Sequence, residues 1–192
     1  MNLSALSTIQ IAIIIAVVVL LVAGIAILFS IRKRKTERLR SQFGGTEYNR
    51  AVKEGGSRQK AEAVLDKRAD RVESFHIQPL GPGDRARFVE SWRGVQARFV
   101  DGPGGALTEA DQLLRDVMST RGYPVSDFEQ RAADISVDHP LVLERYRSAH
   151  EIAVRQTQGQ ASTEDLRQAM IHYRALFEEL VGEPELARTK TA

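Results

Sequence analysis

From Ile11 to Phe29 the chain reads IAIIIAVVVLLVAGIAILF, nineteen consecutive residues with no charge and no polar side chain, and Ser30 and Ile31 extend the run to twenty-one. At about 1.5 Å of rise per residue, such a run covers about 30 Å as a helix, the thickness of a bilayer hydrocarbon core. Its wealth of Val and Ile would suit a buried strand in water. Strands are rarely this long, however, and a lone strand in lipid would leave its backbone donors and acceptors unpaired, so the helix costs less. Two alternatives compete: a buried core helix, and a cleaved signal peptide. The second requires a basic leading region and an apolar stretch of about 7–15 residues, whereas MNLSALSTIQ carries no charged side chain and the run is longer. The run therefore predicts a transmembrane anchor over residues 9–31, with residues 1–8 as an extracytoplasmic N-terminus.

The flank on the C-terminal side of the anchor sets its orientation. Between Arg32 and Arg40 stand six Lys or Arg and one Glu, with no charge before the apolar run. Because Lys and Arg in short flanks stay on the cytoplasmic side, the N-terminus is expected outside and the remainder inside a cell membrane. The whole chain is only +2, so without this collar it is net negative. The sequence pI near 9.0 is thus a juxtamembrane property and does not mark the rest as a nucleic-acid binder. The expected partners of Arg32, Lys33, Arg34 and Lys35 are anionic membrane lipids. With no cysteine, disulfides, thiolate metal sites and thiol nucleophiles are excluded.

Residues 32–59, punctuated by Gly44-Gly45 and Gly55-Gly56, read as a basic juxtamembrane segment and linker, or as short helices. Phe43, Tyr48 and Val52 are apolar enough to dock. A helical domain is expected over 60–181. Ala61, Val64, Leu65, Ala69 and Val72 make a narrow amphipathic face, and Phe88, Trp92, Val95 and Phe99 recur at spacings of four, three and four. Leu107, Ala110, Leu113, Leu114, Val117 and Met118 supply a third face. Asp127 precedes a short stretch bearing Phe128, Ala132 and Ile135. Helix restarts at Asp138-His139-Pro140, and Ser162 caps a last element running through Leu166, Met170, Tyr173, Phe177 and Leu180. No segment alternates as a strand would. The expected fold is all-α, one transmembrane helix followed by a four- or five-helix antiparallel bundle, with residues 182–192 as a flexible tail.

Chemical constellations are sparse. His76, His139, His150 and His172 lack the Glu-x-x-His or His-x-x-x-His spacing that places two ligands on one helical face. Asp134, Asp138 and His139 read as caps on a solvated face. Gly102-Pro103-Gly104-Gly105 precedes a helix but lacks the lysine of a phosphate loop, and no G-x-S-x-G occurs. Trp92 reads as core, with a binding hot spot as its alternative, and Arg145, Arg147 and Arg155 read as a solvated face. Small residues at Ala12 and Ala16, and again at Ala23 and Gly24, could bring two anchors together as a homo-oligomer. No catalytic, cofactor or metal residue is nominated.

Residues 38–52 (RLRSQFGGTEYNRAV), the stretch from Phe88 to Trp92, VQARFVD from Val95, ADQLL from Ala110, VM and RGYP between Val117 and Pro124, DFEQRAAD from Asp127 and STEDLRQAM from Ser162 together resemble a family of uncharacterised bacterial proteins with one N-terminal membrane helix. Gly44-Gly45 is the local departure, insertion-like in character. The resemblance implies a bacterial cell-membrane location and brings no catalytic residues. On these grounds the expected function is a membrane-tethered helical protein-interaction module. The alternatives are a ligand-binding or enzymatic domain with its site assembled across helices, and DNA attachment through the basic flank.

Overall fold

The computed structural model describes residues 8–182, with side chains from Ile15 onward; the expected outer stretch before Thr8 and the tail after Gly182 lie outside the described residues. Helix α1 spans Thr8–Gly55. From Ile15 to Ile31 every side chain is exposed, as the large apolar residues Leu20 and Phe29 illustrate. An apolar stripe of this length facing nothing is unfavourable in water, and it is long and apolar enough to cross a membrane.

Residues 32–55, expected as a linker or short helices, continue α1 with one interruption. Gly44 has φ 72° and ψ 160°, a conformation that is essentially glycine-only, and there the chain turns. Helix α2, Arg58–Glu73, begins at Ser57, whose hydroxyl accepts from the Lys60 amide. Glu47 meets Arg68 near the turn, while Gly55, at the other end of this arm, lies against Ala61. Residues 45–55 and α2 are therefore antiparallel. Thr36 bonds Glu62, and Lys35 and Arg38 pair with Asp66, so α2 again runs with the first arm of α1. Leu39, Phe43, Tyr48, Ala51, Ala61 and Leu65 fill the space between these three segments as a small core of their own.

The larger core is formed by α3 (Pro82–Arg98), α4 (Pro103–Arg121), α5 (Phe128–Asp138), α6 (Pro140–Thr157) and α7 (Thr163–Gly182). Helix α7 packs on α3, α4 and α6. Trp92 lies in this core, stacked on Phe177 with ring centroids 4.7 Å apart. The Asp127 and Ser162 caps form, accepting from the amides of Gln130 and Asp165. Helix α3 is capped by Gly81, with Asp84 in its first turn.

The expectation of four or five helices after the anchor is corrected to six. Two features of the helix order bear on the count. Helix α2 stands outside the main bundle, because the basic arm of α1 supplies the apolar partner for its narrow face. Helices α5 and α6 are also separate, divided by His139 alone: Pro140 has no amide to continue α5, but it fits the first turn of α6.

The two adjacent glycines give opposite outcomes on substitution. Gly44→Ala is expected to destabilise the α1–α2 unit by about 1–3 kcal/mol, since alanine is strained at this φ and ψ. Gly45 is helical with no heavy atom in reach of an added Cβ, so Gly45→Ala is expected to be neutral or stabilising by up to about 1 kcal/mol. Chemical denaturation of the full chain in detergent, followed by circular dichroism, separates the two.

Candidate functional site

The candidate site lies where the exposed apolar helix continues into the folded domain. Two arrangements meet there, a buried ion network and a basic groove.

The network is centred on Glu47, 4% exposed on the second arm of α1. Its Oε1 accepts from Arg68 Nη1 of α2 at 2.6 Å and from Arg147 Nη2 of α6 at 3.5 Å. Arg147, itself 5% exposed, also donates to Glu129 of α5 at 3.1 Å. Alongside, Arg71 Nε of α2 donates to Asp134 of α5 at 3.0 Å, and Gln130 donates to the same carboxylate oxygen at 2.8 Å. One chain of charged hydrogen bonds thereby joins α1, α2, α5 and α6. Buried charges persist only when paired in this way, because the cost of leaving water is several kcal/mol per ion.

Two expectations change here. Arg147 is in the interior and not on a solvated face, unlike exposed Arg145 and half-buried Arg155. Asp134 and His139 are likewise buried: His139 Nδ1 lies 3.2 Å from Glu179, while exposed Asp138 accepts from Tyr123. The helical period places Arg147 one turn after Leu143, on the buried side. That signal was available in the sequence, but arginine's usual preference for the surface outweighed it.

The groove lies on the anchor side of the small core. It has a volume of about 670 Å³ and is lined by Phe29, Arg32, Lys33, Lys35 and Arg40 of α1 with Arg58 and Gln59 of α2; Glu37 and Glu62 are its carboxylates. Glu62 accepts from Thr36 at 2.6 Å and from Tyr48 at 2.9 Å. Burial, with Glu62 reinforcing it, pushes the Tyr48 phenol up. Of the collar cations named from the sequence, Arg32, Lys33 and Lys35 line this groove and Arg34 does not.

A third polar region lies inside the bundle. His150 stacks on Phe128 with centroids 3.5 Å apart, Arg131 donates to the Tyr146 hydroxyl at 3.2 Å, and Tyr146 packs on Tyr173. Burial raises both phenols, with Asp111 adding to the effect at Tyr173. They therefore stay protonated at neutral pH, which suits a packed polar core better than a general base. Among the described residues, no group of three or more His, Asp or Glu is arranged to hold a metal ion. No family model, curated protein or solved structure matches this chain. The bacterial family likeness accordingly reduces to its coarse content, one N-terminal membrane-length helix followed by a multi-helix domain.

Removing the Glu47 charge would leave the Arg68 guanidinium without its carboxylate and Arg147 with Glu129 alone, so Glu47→Gln is expected to cost about 3 kcal/mol in a denaturant titration of the full chain. Glu129→Gln alters a carboxylate that is 74% exposed and is expected to cost less than about 1 kcal/mol.

Burial also lowers the His150 imidazole below its usual value. The unfolded chain thus takes up this proton first as the solution is acidified. Stability is expected to be full above about pH 6.5 and to fall below it, levelling off once the folded imidazole is protonated too. A His150→Gln variant should show a shallower loss between pH 7 and 5 in melting curves, with the remaining slope carried in part by His172, whose pKa burial also lowers.

Proposed function

We propose that this protein is a single-pass, membrane-tethered helical interaction module, with its N-terminus outside the cell and its helical domain on the cytoplasmic side of a bacterial cell membrane. One observation carries the reading: the helix that is fully exposed and apolar from Ile15 to Ile31 continues without a linker into Leu39 and Phe43 of a packed core. The folded part is thus fixed to its anchor, as a scaffold requires. The collar Arg32–Lys35 supports the orientation and an attraction to anionic lipid.

Support for a protein contact comes from two exposed apolar side chains outside the core. Val125 and Leu141 are 88% and 89% exposed, and the bond from Tyr123 to Asp138 ties the loop carrying Val125 to the α5–α6 junction carrying Leu141. Their partner is a second copy of the chain or another protein.

A reporter active only in the cytoplasm, fused after Ala192, is expected to be active. External protease access to an inactive fusion would overturn the orientation. A photocrosslinking residue at position 141 in intact membranes should give one adduct of defined mass that Val125→Asp abolishes. An identical adduct pattern from exposed Glu151 would reduce this face to ordinary surface.

A further inference from the structure

Resting on the tethered reading, the groove between the collar and the start of α2 has features that a diffuse basic patch lacks. It is assembled from two distant parts of the chain: Arg58 and Gln59 reach the level of Phe29 and Arg32 because α1 doubles back at Gly44. Three of its five cations have no carboxylate partner among the described residues. Lys33 pairs with Glu37 at 3.9 Å and Lys35 with Asp66 at 2.5 Å, whereas Arg32, Arg40 and Arg58 have no carboxylate within 4 Å among the described residues. Arg40 lies over the Tyr48 ring, 6.0 Å from its centroid. The Glu62 oxygen on this side is taken by Thr36 and Tyr48.

The mouth of the groove adds a contact with the bilayer. Phe29, 71% exposed, is the last aromatic of the apolar run and one wall of the groove. Arg40 stands eleven residues, about 16 Å, along α1 from Phe29, and the groove runs between them. A volume of about 670 Å³ is in the range of small-molecule sites. Arginine forks suit phosphate oxygens geometrically as well as by charge.

We propose that this groove is a one-to-one site for the phosphate of an anionic lipid headgroup, with Arg40 and Arg58 as the phosphate donors, Gln59 as a neutral donor and Arg32 with Phe29 at the membrane rim. The site is distinct from the general attraction of the collar. Arg34 belongs to the collar but not to the groove, and this makes the two separable.

The test uses the full chain in non-ionic detergent, titrated with phosphatidylglycerol or phosphatidylcholine and read by native mass spectrometry. One phosphatidylglycerol is expected to be retained in preference to phosphatidylcholine. Arg58→Ala should weaken it about tenfold, the loss of one charge-assisted hydrogen bond, and Arg34→Ala by less than about twofold, a screened surface effect. Arg58 is exposed, so an unchanged melting curve is expected for its variant. Equal losses in the two variants would reduce the site to a diffuse field and overturn the proposal. Equal retention of phosphatidylcholine would overturn it as well, and displacement of the lipid by millimolar glycerol phosphate would show a soluble phosphate to be the ligand instead. The tethered reading is checked separately: wild-type and Arg58→Ala proteins should both stay in membranes through alkaline carbonate washing. Release of the wild type would sink that reading, and this site with it.

Discussion

The shared carboxylate of Glu47 is the constraint on which the rest of the architecture depends. It sits between a guanidinium from α2 and one from α6, so it binds the turned-back arm of α1 to both the small core and the bundle. Apolar packing alone would let the small core of Leu39, Phe43 and Leu65 lean on the bundle in more than one register. A buried charge shared by two arginines has one satisfactory geometry, because any displacement leaves an ion unpaired in a low-dielectric setting. The Arg71–Asp134 pair, one helical turn further along α2, adds a direct link from α2 to α5. Between them, the two carboxylates hold α2 against α1 and α5.

Much of this was legible in the residues. The membrane-length apolar helix, the two helix caps at Asp127 and Ser162 and the buried stripe holding Trp92 follow from local rules of length, capping and period, and each is present. The helix number was harder to read, because it depends on what packs against what. The narrow face of α2 reads as one that packs on another helix, but its partner, the basic arm of α1, looks like a linker because of its charge and its glycines. The docking of Phe43, Tyr48 and Val52 was legible, but only a three-dimensional pairing reveals that Gly44 is a reversal and that these side chains meet α2.

The candidate sites divide in the same way. The collar is a linear feature and can be read directly, but the groove depends on Arg40 and Arg58 being brought together across eighteen positions. Arg147 illustrates the opposite error, since a residue type that is usually solvated occupies a buried position in this chain. Its partner Glu47 lies a hundred residues away, beyond any local pattern.

In the tethered reading, the unbroken passage of α1 from its apolar segment into the core also fixes how far the domain stands from the membrane. A flexible tether would let its cargo wander over a radius that grows with the square root of tether length. Here the distance from Arg32 to the turn after Phe43 is a rigid rod of about 17 Å, so the height and heading of the bundle follow from the tilt of one helix. Anything that binds its outer face meets it at a set altitude above the bilayer, and a change in the anchor's tilt would swing that face as a lever does.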